Sequence, residues 1–311
     1  MIEASAFDIS CKCDEGQDLL CLPFYLAGKP LQDDGREHPR CYMTTAGAGS
    51  MRFRWTEENP QRKSFFLKRN ILPPQTISSV GISPITSPGD LYPATWPVLS
   101  TSLLAVPVEL IHSQVVYALE QEEETSESTL LGREGSHPDA LNLWRGDGII
   151  TTNPKLVPVV TVADCLPIFL YDSKTGCRGV LHSGWKGTGI VLQALTLAEK
   201  LYGAQANDFS VVIGPHIHSC CYQVDEKRIE YFTSHFGSSC IIPPNNLSLA
   251  QANVNLLREA GVPEDNILCC SDCTCCDPRL GSFRRETRNL SENMILEEKL
   301  KNFTTMMAFI H

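Results

Sequence analysis

Short apolar runs separated by turn signals dominate the middle of the chain. Residues 157–162 and 168–171 are β-branched or aliphatic runs, and residues 178–182 form a third run after a polar turn at 172–176. Runs of four to eight such residues, bounded by Pro, Gly or Asp, predict buried β-strands. Residues 209–213 predict a further strand. The second and third runs would pair as antiparallel neighbours through the tight turn.

Two segments carry the apolar spacing of helices. Residues 190–202 end at Gly203 and residues 250–260 end at Gly261, and glycine is the preferred residue just past a helix C-terminus. Residues 110–119 predict a strand, and the acidic run 120–127 is interpreted as a solvated loop. Strands that alternate with helices predict a mixed α/β fold.

The first third of the chain has a weaker pattern. Residues 1–60 are polar and predict irregular structure, and residues 71–107 are rich in Pro and Ser. Proline favours extended or looping backbone, so the second segment is interpreted as a long connection or insertion rather than a domain boundary.

The composition and net charge narrow the classes of molecule that the protein is expected to bind. The 311 residues carry a net charge of -10 and 14 cysteines. Without a Lys/Arg run, this charge argues against a nucleic-acid partner, although a small anionic ligand needs only a few local donors. The N-terminus has no apolar signal core and no stretch reaches the ~18–20 apolar residues of a membrane span. We therefore expect a cytoplasmic protein with reduced thiols that bind metal or are buried.

One thiol and two imidazoles are candidate metal ligands. Cys165 lies where one strand gives way to the next, His182 ends the following strand, and His112 lies within the apolar strand pattern of 110–119. A Cys/His₂ set suits Zn²⁺ and leaves a fourth position open for catalysis. The same residues also fit a buried thiol with two structural histidines, or a Cys165–His182 thiol hydrolase with Asp164 nearby.

Glycines follow His182 and precede a helix. Gly184 and Gly187 would let backbone N–H groups approach an anion at the helix N-terminus, and Lys186 would add a charge. A tight strand-to-helix turn without a ligand explains the same glycines.

Two further patterns could indicate metal sites. Residues 269–276 hold five thiols, but no neighbouring ligand cluster in the sequence completes a Cys₄ shell, so no ordered metal is expected there. A multicopper oxidase needs several His-x-His pairs, and His216-x-His218 is the only such pair among eight histidines.

Several ordered motifs together resemble a known family. They are Asp147-Gly148-Ile149-Ile150-Thr151-Thr152, Val162-Ala163-Asp164-Cys165-Leu166-Pro167, Leu181-His182-Ser183-Gly184-Trp185-Lys186-Gly187-Thr188 and the segment 213–224. The chain is identified as similar to the "laccase domain" or multicopper polyphenol oxidase family, which is associated with purine nucleoside phosphorylase and adenosine deaminase activities. The similarity extends over residues 108–285, through Cys273-Thr274 and residues 282–285.

The resemblance implies one domain over residues 1–311, with a divergent N-terminal segment (residues 1–107) and a motif-bearing segment (residues 108–311). Its fold would be a layered α/β/β/α arrangement, a central mixed β-sandwich flanked by helices. It implies a Zn²⁺ enzyme acting on purine nucleosides and phosphate, with protein partners unknown. The metal ligands that the resemblance implies are His112, Cys165 and His182. From the residues themselves we also assign Cys165 and Asp164 to catalysis, and Gly184, Lys186 and Gly187 to substrate or phosphate binding.

The chain departs from the family pattern at two positions. Leu110 stands where the family usually has Gln, and Ala46 stands where it has an Arg that faces the substrate, so Arg52 or Arg54 would have to substitute. The family is also similar in architecture to toxin deamidases that use a Cys–His pair. A Cys165–His182 thiol hydrolase and a degenerate, non-catalytic metal-binding protein are therefore the alternatives.

Overall fold

The computed structural model describes residues 1–11, 18–31, 37–52, 54–55, 59–73, 92–96, 103–124, 127–133, 145–291, 294–299 and 301–311. The strands in the first half are β1 (Ile2–Ala4), β2 (Leu19–Leu22), β3 (Tyr25–Leu26), β4 (Lys29–Pro30), β5 (Cys41–Thr44), β6 (Ile71–Leu72), β7 (Tyr92–Trp96), β8 (Leu103–Pro107), β9 (Val116–Glu124), β10 (Glu127–Arg133) and β11 (Gly148–Thr151). The later strands are β12 (Leu156–Val162), β13 (Leu166–Asp172), β14 (Arg178–Ser183), β15 (Phe209–Ile213), β16 (Ile241–Ile242), β17 (Asn246–Leu247), β18 (Ile267–Cys270) and β19 (Met306–Ile310). The helices are α1 (Ala6–Ile9), α2 (Pro60–Leu67), α3 (Ile190–Tyr202), α4 (Glu226–Phe236), α5 (Leu249–Glu259), α6 (Phe283–Thr287) and α7 (Leu296–Lys299).

Two large mixed sheets form the centre of the molecule. Within the described residues, nine strands form one sheet in the order β1-β18-β15-β13-β14-β11-β9-β10-β7. Six strands form the other in the order β2-β5-β19-β12-β8-β6. The strands predicted between residues 157 and 213 and both predicted helices are confirmed, and α3 has the predicted bounds with Gly203 left-handed at φ 70°. The strand predicted at 110–119 begins only at Val116.

Alternating residues of the central strands face different layers. In β13, Ile168 and Leu170 pack with helices α3 and α5, whereas Phe169 packs between the two sheets. In β12, Val160 faces the other sheet and Val159 packs with Phe65 and Phe66 of α2 on the outer side. Because successive side chains of a strand point to opposite faces, these strands are buried on both sides. The layers are therefore helices, sheet, sheet and helix, as predicted.

The first 107 residues are more ordered than the sequence indicated. Strands β2 and β5 of the predicted irregular segment pair with each other, and β5 pairs with β19. The proline-rich segment contributes β7 and β8, one to each sheet, while most of residues 74–102 lies outside the described residues. These pairings place strands of the first 107 residues in both large sheets.

The acidic run was wrongly predicted as a loop. Most of it lies in β9 and at the start of β10, which pair antiparallel from Glu127 opposite Glu124 to Arg133 opposite Ala118. The run lacks the alternation of apolar and polar residues that identifies strands. Its backbone nevertheless pairs with β10, so β9 continues beyond its apolar part. No helix in the described part of the chain is long and apolar enough to cross a membrane.

Candidate metal centre

Several strand ends meet at one edge of the nine-stranded sheet. Leu166, the first residue of β13, lies opposite Ser183, the last residue of β14. Gly148, the first residue of β11, lies opposite Leu181 of β14 and opposite Val116 of β9. The same edge of the sheet therefore holds the segments that precede β9, β11 and β13. It also holds the end of β14.

The three predicted metal ligands come together at this edge. One donor atom from each of His112, Cys165 and His182 lies within 4.8 Å of the others, and the two imidazole centroids are 5.1 Å apart. His182 is only 2% exposed, Cys165 is half-buried and His112 is exposed. The cluster thus has a buried inner side and an outer side that solvent and a ligand can reach.

His112 reaches the cluster from a bend rather than from the predicted strand. The strand β9 begins only at Val116, and His112 has a left-handed backbone with φ 56°. This conformation is uncommon for a residue other than glycine. The carboxylate of Asp147 holds it, because Oδ1 accepts the backbone N–H of His112 at 3.0 Å.

Asp147 organises the cluster and was not predicted as a site residue. Its fully buried carboxylate accepts the N–H of His112, the N–H and hydroxyl of Ser113, and Nδ1–H of His182 at 2.9 Å. With Nδ1 engaged, Nε2 of His182 is the ring atom that remains for a metal, as in carboxylate–histidine–metal arrangements. The signal that could have identified Asp147 is an acidic residue at the start of an apolar strand.

Electrostatics distinguish the two imidazoles. Burial opposes the charged ring of His182, but its interactions with Cys165 and the Asp147 carboxylate outweigh burial and raise its pKa to about 10. Partial burial and the neighbouring His182 lower the pKa of His112 to about 4, although Asp147 opposes this shift. His112 is therefore neutral at pH 7, whereas metal binding at His182 must displace a proton.

The glycine turn after β14 packs closely against the ligands. A Cβ on Gly184 would lie 3.0 Å from Cys165 Sγ, and a Cβ on Gly187 would lie 2.8 Å from the Ser113 carbonyl oxygen. The Gly187 N–H donates to the Gly184 carbonyl at 3.0 Å. Close packing thus accounts for both glycines, and their role in phosphate binding stays a prediction.

Asp164 holds the neighbouring loop. One carboxylate oxygen accepts the Thr274 hydroxyl at 2.7 Å and the other accepts the Arg284 N–H at 2.6 Å. Burial raises the pKa of Asp164, although these hydrogen bonds oppose the shift. Its backbone is left-handed at φ 80°, a strain typical of functional sites. With both oxygens engaged, the contacts favour a positioning role over proton transfer.

Two cationic side chains lie near the cluster. The charges of Lys186 and Arg54 both act on His112, and Arg54 pairs with Glu109 at 2.7 Å. Trp185 is 38% exposed, and the Arg228 guanidinium lies 4.2 Å from its ring centroid. Glu109 thus offsets much of the Arg54 charge, and Lys186 adds a further positive charge near His112.

Curated relatives are similar to about half of the chain. A purine nucleoside phosphorylase from Borreliella burgdorferi is 34% identical over 166 residues, which cover 50% of this chain and 71% of that protein. Adenosine deaminase RL5, from an unknown prokaryotic organism, is 33% identical over 139 residues, which cover 42% of this chain and 53% of that protein.

A solved structure shares the fold over almost the whole chain. The Bacillus licheniformis hypothetical protein YfiH superposes with a TM-score of 0.63 at 20% identity, covering 95% of this chain and 97% of that one. Residues 99–294 match the family model described as multi-copper polyphenol oxidoreductase laccase. This span includes all three clustered ligands, and the chain belongs to the multi-copper polyphenol oxidoreductase laccase family.

Proposed function

We propose that this protein is a zinc-dependent purine nucleoside enzyme, which cleaves adenosine, inosine and methylthioadenosine by phosphorolysis and deaminates adenosine. The observation that carries the proposal is the convergence of His112, Cys165 and His182 on one solvent-accessible point. Relatives named purine nucleoside phosphorylase and adenosine deaminase supply the class of substrate.

The donor set fits a catalytic zinc ion. One thiolate and two imidazoles give three protein ligands, and a fourth tetrahedral position is the usual feature of catalytic zinc sites. His182 is fixed by Asp147 at 2.9 Å, which orients its other ring nitrogen towards the cluster. When bound, zinc supplies Lewis-acid activation of a nucleophile at neutral pH.

The surrounding side chains would bind and orient the substrates. Lys186 and Arg54 lie near His112, where they would attract phosphate. Arg54 would then substitute for the Arg that Ala46 replaces. Asp164 would hold Thr274 and Arg284 against the site.

The direct test is product analysis with a protein of known metal content. We expect adenosine, inosine and methylthioadenosine to release base only when phosphate is present, and adenosine to give inosine without phosphate. His182→Ala should abolish both reactions. If the metal-loaded protein gives neither base release nor deamination with any of the three nucleosides, the proposal is wrong.

The role of Arg54 can be separated from that of the metal. Arg54→Gln should raise the KM for phosphate at least about tenfold, as expected for loss of a charge-assisted contact, and leave deamination unchanged. Arg258→Gln is the matched control, because Arg258 pairs with Glu264. An equal loss of both activities in Arg54→Gln would show that Arg54 supports the fold rather than phosphate.

A thiol hydrolase is the second candidate. Asp147, His182 and Cys165 form a hydrogen-bonded series, which is the arrangement of an acid, a base and a nucleophile. Alkylation of Cys165 that abolishes activity while zinc stays bound would favour this function. Zinc release in proportion to alkylation would favour the nucleoside enzyme.

The copper chemistry in the family description has less support. Within the described residues, neither group able to hold a metal includes His216 or His218. His216 is buried, and its Nδ1 is bonded to the Gly214 carbonyl oxygen at 2.8 Å. This His-x-His pair therefore has a structural environment.

A further inference from the structure

Four thiols converge outside the candidate metal centre. Cys220 Sγ lies 3.8 Å from Cys221 Sγ and 3.7 Å from Cys276 Sγ, and Cys221 Sγ lies 3.3 Å from Cys276 Sγ. Cys273 completes the set, in which all four sulfurs lie within 4.8 Å of one another. Cys220 and Cys221, about fifty residues before Cys273, supply the ligands that the sequence around Cys273 lacks.

The sheet topology brings the two segments together. Strands β15 and β18 run parallel, with Ile213 opposite Cys269, so the loops that follow them leave the sheet at the same edge. A bridge between His216 and Cys273 joins these loops. The Thr274 N–H donates to the His216 carbonyl oxygen at 3.0 Å. The cysteines on the two loops are therefore held near each other by backbone contacts.

The spacing of the sulfurs suits a tetrahedral ion. A zinc–sulfur bond of about 2.3 Å places four tetrahedral sulfurs about 3.8 Å apart. The separations among the sulfurs of Cys220, Cys221 and Cys276 are 3.3, 3.7 and 3.8 Å, and Cys273 lies within 4.8 Å of them. Cys273 and Cys276 also have the two-residue separation common in structural zinc sites. We propose that Cys220, Cys221, Cys273 and Cys276 bind a structural zinc ion, separate from the ion at the candidate metal centre.

A bound cation would also offset the charge of the sulfurs. The His218 N–H donates to Cys273 Sγ at 3.4 Å. Four thiolates at these distances repel each other unless a cation lies between them, whereas a metal ion deprotonates all of its thiol ligands.

The ion would stabilise the loop that contacts the candidate metal centre. Thr274, between the two CxxC cysteines, donates its hydroxyl to Asp164. Arg285 donates to the Thr274 carbonyl oxygen at 2.5 Å and to the Asp277 carbonyl oxygen at 2.9 Å. A zinc ion that fixes residues 273–276 would thereby fix Asp164, which precedes Cys165.

Metal analysis of variants tests the proposal. We expect the wild-type protein to bind two zinc ions, and His182→Ala and Cys276→Ser each to lose one. Cys275→Ser is the matched control, because Cys275 lies in the same turn but outside the four-cysteine group. It should keep both ions. Loss of one ion in Cys276→Ser but not in Cys275→Ser identifies the second site.

X-ray absorption at the zinc edge identifies the ligands even if Cys276→Ser fails to fold. In His182→Ala the remaining zinc should have sulfur neighbours alone, at about 2.3 Å. Nitrogen or oxygen neighbours would overturn the proposal. The proposal would also be overturned if the wild-type protein held a single zinc ion that His182→Ala removes. A disulfide within the four cysteines of zinc-free protein purified anaerobically would overturn it as well. A single ion that His182→Ala retains would instead contradict the proposed catalytic centre.

Discussion

Asp147 is the single residue on which the geometry of the candidate metal centre depends most. Its carboxylate joins the backbone at His112 to the ring of His182, so it sets the positions of two of the three ligands. A sequence motif identifies the ligands by residue type, but it does not identify the group that orients them.

Asp147→Asn should weaken zinc binding by about 10–100-fold, the usual effect of losing a carboxylate that orients a metal-ligating histidine. Competition with a chelator measures the affinity. Asp172→Asn is the control, because Asp172 is equally buried but accepts hydrogen bonds from Lys174 and Thr175 in the turn between β13 and β14. Equal zinc affinities in both variants would contradict the assigned role of Asp147.

Zinc affinity should rise with pH between about 6.5 and 10. In the metal-free protein Cys165 and Asp147 raise the pKa of His182 to about 10 despite its burial, and zinc requires the neutral ring. The same proton stabilises the metal-free fold below about pH 6.5, a contribution lost as the pH rises through about 10. Chelator competition across this range tests the prediction. A flat affinity, or no proton release in calorimetry, would contradict it.

At the scale of elements, the turn from β14 to α3 determines how closely the ligands approach. Gly184→Ala should displace Cys165 and lower zinc occupancy, because the added Cβ would lie 3.0 Å from Sγ. Gly203→Ala is the control, since its Cβ would meet nothing within 4 Å. It should cost about 1 kcal/mol of stability through its positive φ and keep the zinc. Full zinc occupancy in Gly184→Ala would show that the turn adjusts.

The elements around the site were predicted better than the contacts between them. The apolar runs of β12, β13 and β14 and the spacing of α3 are local signals, and their strands and helix are confirmed. The bend at His112 and the meeting of Cys220 with Cys276 depend on strand order, which no local pattern records. The sequence therefore identified candidate ligands but missed the second cluster of thiols.

On the scale of the whole molecule, β19 connects the two ends of the chain. It pairs with β5 on one side and β12 on the other, and its Phe309 is fully buried, with its ring centroid 5.0 Å from that of Tyr42. The divergent N-terminal segment is thus packed into the same sheet as the motif-bearing segment.

Phe309→Ala should lower the free energy of unfolding by about 3–5 kcal/mol, the usual cost of removing a buried aromatic ring. Urea denaturation measures the change. Ile242→Ala should cost less than about 0.5 kcal/mol, because Ile242 is 43% exposed. Phe309 packs on the side of the six-stranded sheet that faces α2, so the zinc content of the folded variant should not change. Similar losses in both variants would contradict the central role of β19.

The position of β19 also has a consequence during synthesis. A ribosome makes β5 and β12 long before residues 306–310, so both of those strands leave the exit tunnel with an unpaired edge facing the place of β19. Open edges of this kind are sites where nascent chains associate wrongly. The six-stranded sheet is completed only when residues 306–310 have left the exit tunnel, so we expect chaperone binding to the growing chain to persist until then.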